Sequence, residues 1–198
     1  MKNISFLSLF ILLISQSAMA LFEVRAGYGI LASKPDFSTF YAGTTPTMAP
    51  NAGITLDAIA TIPLIGLGGG LRMENMKIAT DSSSVNIENQ LNRTALILNY
   101  RLINTIIYLG PILTYGLSHS NSIKLSSNGT DLSKISSSKV SSYSLGIEAG
   151  ASLLGFLVGA ELGTMSMKYK DAEDSITMQK GDLDMSGTYA KIFVGFGI

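Results

Sequence analysis

The side chains in this chain that could do chemistry are few. His119 is the only histidine, flanked by Ser118 and Ser120. An imidazole beside a hydroxyl is the minimal arrangement for an activated oxygen nucleophile. Adjacent residues of an extended strand point to opposite faces, however, so His119 and Ser120 are poorly placed to touch. The run Gly66-Leu67-Gly68-Gly69-Gly70 invites comparison with a phosphate-cradling loop, but it lacks the spacing and the following Lys-Ser/Thr that such a loop needs. Asp171, Glu173 and Asp174 with one histidine form no defined ligand set for a metal. The absence of cysteine removes disulfides, thiol nucleophiles, thiolate metal sites and a lipid-modified N-terminal cysteine. Asn92-Arg93-Thr94 and Asn128-Gly129-Thr130 match the glycosylation sequon, a short pattern with no use in a bacterial host. No catalytic, cofactor-binding or metal site is expected.

A second constellation is larger. Glu23, Arg25, Asp57, Arg72, Glu74, Arg93, Arg101, Glu148, Glu161 and Lys191 stand at alternating positions, each opposed by an apolar stripe. Five are acidic and five basic. Such a set is either an ion pathway or catalytic cluster, or a network of mutually neutralising pairs. An unpartnered buried charge costs several kcal/mol, and the matched count favours pairing.

The elements that carry these residues are strands. Phe22, Val24, Ala26, Tyr28 and Ile30 alternate with Glu23, Arg25, Gly27 and Gly29, and the same two-residue period recurs over 52–60, 65–74, 93–101, 107–117, 143–151, 156–163 and 189–198. Pro111 interrupts the fifth run, where a bulge or strand end is expected because proline removes a ladder donor. Every one of the ten charges lies on the face away from the aliphatic stripe. A soluble barrel or sandwich would put its polar face outside and its aliphatic face in the core. Here an aliphatic exterior and a charged interior give the inside-out arrangement of a membrane barrel.

Composition agrees. Mean hydropathy is +0.34 and only 14% of residues are charged, yet after the first 20 residues no stretch has the ~18 apolar residues of a transmembrane helix. A membrane-like chain without helical spans is left with the closed barrel, since unpaired backbone groups cannot face lipid. Lys2, the apolar run Phe6 to Ile14, and Ala18-Met19-Ala20 have the layout of a cleaved secretory signal. The expected organisation is therefore a signal peptide over 1–20 and a barrel over 21–198. Equal numbers of acidic and basic residues, 14 each, exclude the electrostatic footprint of a nucleic-acid binder.

The connections alternate in length. Short ones fall near 62–64, 103–105 and 153–155, and long ones rich in Ser, Thr, Asn, Asp, Gly or Lys cover roughly 32–49, 77–90, 119–139 and 168–186. The fold expected is all-β, a transmembrane antiparallel up-and-down β-barrel of about eight strands. Its termini lie on the short-turn, periplasmic side, its long loops outside, and no length remains for a plug. Eight strands leave an interior that side chains can fill.

With the strands in place, the chain resembles the small eight-stranded outer-membrane proteins of Gram-negative bacteria, the OmpX/OmpA-barrel type. That group ends its last strand in an aromatic residue read by the barrel-assembly machinery. Here Ile192-Phe193-Val194-Gly195-Phe196-Gly197-Ile198 keeps the alternation and replaces the terminal aromatic with Ile198. The resemblance implies outer-membrane lipid and, during biogenesis, the assembly machinery as partners, with any extracellular ligand left unidentified. The outer-membrane lipid A deacylases share the eight-stranded architecture and carry a His-x-Ser pair. The residue two beyond His119 is Asn121, so that match fails. The function expected is a structural or surface-interaction barrel acting through its external loops. The alternatives are a narrow small-solute channel and a lipid-modifying enzyme.

Overall fold

The computed structural model describes residues 21–40, 49–62, 65–81 and 86–198. Residues 1–20, expected to be a signal peptide, part of the first long connection (41–48) and most of the short link at 62–64 lie outside the described residues. Among the described residues eleven strands form one antiparallel sheet: β1 (Phe22–Ser33), β2 (Asn51–Ile62), β3 (Leu67–Asp81), β4 (Asn86–Tyr100), β5 (Ile103–Asn104), β6 (Ile107–Ser127), β7 (Thr130–Ser136), β8 (Lys139–Leu153), β9 (Phe156–Asp174), β10 (Lys180–Asp184) and β11 (Gly187–Gly197). Setting aside the short β5, β7 and β10 leaves eight long strands, each paired with its neighbours in chain order. The last meets the first, from Glu23↔Gly197 to Ser33↔Gly187, which closes the barrel. At the rim where the ends meet, Leu21 N–H donates to the Ile198 carbonyl and Ile198 N–H to that of Phe22.

Closure leaves no free edge along the spanning part of the wall and dictates which face meets lipid. Within the spanning part the alternation is regular. On β1, Val24, Tyr28 and Ile30 point out while Glu23, Arg25 and Leu31 are buried; on β6, Ile107, Leu113, Tyr115 and Leu117 point out while Tyr108, Ile112 and Thr114 are buried. From Ile107 to Leu117 the strand advances about 33 Å, and a tilt near 40° reduces this to about 25 Å, the height of an outer-membrane apolar band. Outward aromatics mark both borders: Phe22, Tyr100, Phe156 and Phe196 near the turn rim, and Tyr28, Tyr115 and Tyr143 toward the other end. Pro111 lies inside β6 with continuous pairing to β8 through Ile147, and no bulge forms there. The ladder between β4 and β6 ends one residue away, at Asn99↔Ile112, and the bulge falls instead between Gly116 and Ser118.

Three of the four long connections are largely strand; the first has no strand between Ser33 and Asn51 among the described residues. β3 and β4 run to Asp81 and from Asn86, β6 continues to Ser127, and β9 continues to Asp174, so much of the polar sequence is strand. In this extension the chemistry of the two faces inverts. Outward positions become polar, as at Asn75, Lys77, Glu88, Gln90, Ser118, Ser120, Lys168 and Lys170, whereas Ile87, Leu91, Ile123, Leu125, Ile135, Met165, Met167, Tyr169 and Leu183 pack inside as one apolar core. The reason is the solvent on the outer face. Beside lipid the wall must be apolar outside, and beyond the lipid it obeys the soluble-protein rule. The segment after β1 folds over this core, with Phe37 0% and Phe40 2% exposed, so side chains also fill the hairpin end.

Tight hairpins turn the chain at both ends of the barrel, one in the extension and one at the turn rim. Asn128 (φ 50°) and Gly129 (φ 78°) join β6 to β7, and Leu154 (φ 53°) and Gly155 (φ 84°) join β8 to β9, both with two successive positive φ values as a type I′ turn requires.

Candidate functional site

The ten charged residues singled out from the sequence are all buried in the lumen, between 0% and 7% exposed. They fall into three groups stacked along the barrel. Nearest the turn rim, Arg25 reaches Glu23 at 2.6 Å and Glu148 at 2.8 Å, while Arg101 reaches Glu23 at 2.7 Å. Asn99 donates to the other Glu148 oxygen at 2.5 Å. In the middle, Arg72 is bidentate to Asp57 at 2.8 and 2.9 Å and also reaches Glu161 at 2.6 Å; Lys191 touches the same two carboxylates at 2.8 Å each. Farthest toward the hairpins, Arg93 meets Glu74 at 2.6 Å.

Each group is neutral by itself: two cations with two anions, two with two, and one with one. Strand register creates the contacts. Arg25 stands opposite Asp57 on β1 and β2, Asp57 opposite Arg72 on β2 and β3, Glu74 opposite Arg93 on β3 and β4, and Lys191 opposite Glu161 on β11 and β9. Arg25 pairs across the lumen with Glu148 rather than with its ladder partner Asp57, whose oxygens are taken by Arg72 and Lys191. Phe193 lies between the first two groups, 4.8 Å from the Arg25 guanidinium and 5.2 Å from Lys191 Nζ, while the Arg101 guanidinium stacks 4.3 Å from the Tyr108 ring. All four arginines of the chain are among these lumen residues. The planar, multi-donor guanidinium suits a buried site with several carboxylates to satisfy.

The third group contains a contact that no local sequence pattern announces. The bulge at Leu117 shifts the phase of β6, which turns His119 inward. Its Nε2 lies 2.7 Å from Ser142 Oγ on β8. Arg93 Nε donates to that same hydroxyl at 2.7 Å, and Arg93 Nη2 donates to Thr114 Oγ1 at 2.8 Å, which in turn is 2.5 Å from Ser144 Oγ. Gly116 permits the crossing, because a Cβ there would overlap both the Ser142 hydroxyl and the His119 ring. The partner of His119 is thus 23 residues away rather than adjacent. Among the described residues no cluster of three or more His, Cys, Asp or Glu is arranged to hold a metal.

A closed antiparallel barrel with an aliphatic exterior, a charge-paired lumen and aromatic borders is a transmembrane barrel of outer-membrane type. The solved structures it is similar to belong to the same class. The outer membrane protein OprG from Pseudomonas aeruginosa shares 17% identity over 89% of this chain and 95% of its own, with a TM-score of 0.53. A major outer membrane protein from Thermus thermophilus shares 14% over 89% and 98%, with a TM-score of 0.54. At these identities the likeness is one of fold. No protein-family model matches the chain, and no curated protein matches it in sequence.

Proposed function

We propose that this chain is an outer-membrane barrel with a closed lumen that works as a structural or surface-interaction protein, its termini in the periplasm and its hairpin end outside the cell. The observation that carries this reading is the double filling of the interior. Three neutral charge groups occupy the spanning part, and an apolar core with Phe37 and Phe40 fills the extension. In an interior of eight strands, arginines bonded at 2.6–2.9 Å to carboxylates on other strands brace the wall from within. This argues for a structural role of the ten residues and against a solute path.

The polar outer face of the extension is the surface available to an extracellular ligand, and surface segments held by a rigid scaffold are where binding concentrates. Lipid, and the assembly machinery during biogenesis, are the other partners in this reading. The His119–Ser142 contact is structural here, since Ser142 is 3% exposed and its hydroxyl is shared with Arg93. Recordings in planar bilayers test the closed lumen: the reading expects no stable conductance, and reproducible nanosiemens channels would sink it. Unchanged lipid A on overexpression is the matching expectation for a protein without lipid-modifying activity.

A further inference from the structure

A groove of about 300 Å³ crosses the outer wall over β2, β3, β4 and β6, where the bulge at Leu117 shifts the register between β4 and β6. Two cross-strand rows form it. One runs Leu56, Met73, Thr94, Ser118 and the other Ile54, Asn75, Asn92, Ser120, each step a ladder pair. Both rows begin on the aliphatic belt, with Ile54 61%, Leu56 50% and Met73 57% exposed, and both end on the polar face of the extension. The groove therefore lies across the border where lipid gives way to water.

Its polar half is uncharged and unsatisfied. The side chains of Asn75, Asn92, Thr94, Ser118 and Ser120 make no hydrogen bond to another described residue, and amides and hydroxyls offer both donors and acceptors. Over β8 and β9 the outer face differs, carrying Lys139, Lys168, Lys170 and Glu173. At the edge of the hydrocarbon an unbonded amide is costly, so an occupant that bonds it is favoured there more than on an open surface.

β3 sets the order of the groups. Its outward positions read Met73, Asn75, Lys77 at intervals of about 6.6 Å, which is apolar, amide, cation. Lys77 is exposed, stands between Ala52 and Gln90 in the two ladders, and makes no ion pair among the described residues. An occupant that matches has hydrocarbon below, amides and hydroxyls at the border, and an anion above. A phosphorylated amino sugar with amide-linked acyl chains, the glycolipid of an outer-membrane surface leaflet, carries these parts together, whereas a glycerophospholipid lacks the amide.

We propose that this groove binds one molecule of that glycolipid, its acyl chains along Ile54, Leu56 and Met73, its amide and sugar hydroxyls on Asn75, Asn92 and their neighbours, and a phosphate on Lys77. The assignment rests on the reading that the hairpin end lies outside the cell. Binding is tested free of orientation by mixing the folded protein in detergent micelles with bis-phosphorylated lipid A and counting retained lipid by native mass spectrometry; labelling of Thr130→Cys on intact cells tests the orientation separately. One molecule per barrel should be retained, about tenfold more strongly than lipid A stripped of its phosphates, the size of one charge-assisted contact. Lys77→Ala should remove that preference. Thr94→Trp, which keeps every charge and fills the groove, should abolish retention, whereas Ser141→Trp on the outer face of β8 should leave it unchanged, with the unboiled-gel shift showing that both barrels fold. No retention, no preference for the phosphorylated form, or equal retention by the two tryptophan variants overturns the assignment.

Discussion

Arg72→Met removes the centre of the middle charge group. Arg72 makes three close contacts to two carboxylates, and its side chain is 1% exposed. Without it Asp57 and Glu161 share Lys191 alone, leaving one uncompensated negative charge in the lumen. Breaking a buried pair in this way costs about 3–5 kcal/mol. Adding Glu161→Gln returns the group to neutrality as an Asp57–Lys191 pair, so that the remaining loss is hydrogen bonds worth about 1 kcal/mol each. The second substitution should therefore restore about 1 kcal/mol in the Arg72→Met background, the difference between a loss of about 3–5 and one of about 3 for three hydrogen bonds. Because the chain has no tryptophan, stability is best followed by urea titration in lipid vesicles, read as the folded fraction on unboiled gels. If Glu161→Gln leaves the Arg72→Met protein no more stable, or less so, charge pairing is not what holds this group.

Other substitutions separate the remaining forces. Val194→Arg on the lipid-facing side of β11, 62% exposed to what the fold makes lipid, should cost about 2–4 kcal/mol in vesicles, whereas Ser120→Arg on the polar outer face of the extension should cost little in the same titration. Phe37→Ala with Phe40→Ala should destabilise the core of the extension by several kcal/mol, at about 3–5 for each phenylalanine, and should speed proteolysis of the hairpins. Leu154→Gly should stabilise by about 1 kcal/mol, because Leu154 holds φ 53° where glycine has no steric penalty. Burial tends to raise the Asp174 carboxyl, but hydrogen bonds from the Ile176 and Lys134 N–H groups and from Thr177 outweigh it and hold the group below its ordinary 3.8. A depressed carboxyl contributes stability above the ordinary value that disappears as pH falls through the native one. Protection of the β9–β10 hairpin against hydrogen exchange, corrected for the intrinsic pH dependence of exchange, should thus fall below about pH 3.8, and Asp174→Asn should flatten that dependence.

The spanning strands were legible because a barrel wall in lipid imposes opposite chemistries on its two faces, and period-two alternation such as Glu23-Val24-Arg25 records that directly. The extension was not, because reading polar side chains as loop ignores that solvent has replaced lipid outside. The alternation persists there, in Ile123-Lys124-Leu125 and Met165-Ser166-Met167-Lys168-Tyr169, with the inner face now the apolar one. Asn128-Gly129 was visible as a sequon match when its physical content was a hairpin turn. The bulge at Leu117, and with it the inward turn of His119 onto Ser142, depends on a register shift between β4 and β6 that no local pattern encodes. The choice of Glu148 for Arg25, 123 residues away, depends likewise on closure of the whole barrel.

A cysteine-free chain makes single-cysteine scanning along β6 straightforward, and spin-label accessibility in lipid vesicles at 107–125 tests the account most directly. Odd positions from 107 to 117 should collide with oxygen dissolved in lipid, and positions 108, 112 and 114, which already carry inward side chains, with neither oxygen nor a polar relaxant. Beyond the bulge, 118, 120 and 122 should collide with the polar relaxant while 119, 121, 123 and 125 stay shielded. Polar-relaxant access at positions 108, 112 and 114 would mean an aqueous lumen and contradict the closed, charge-paired barrel.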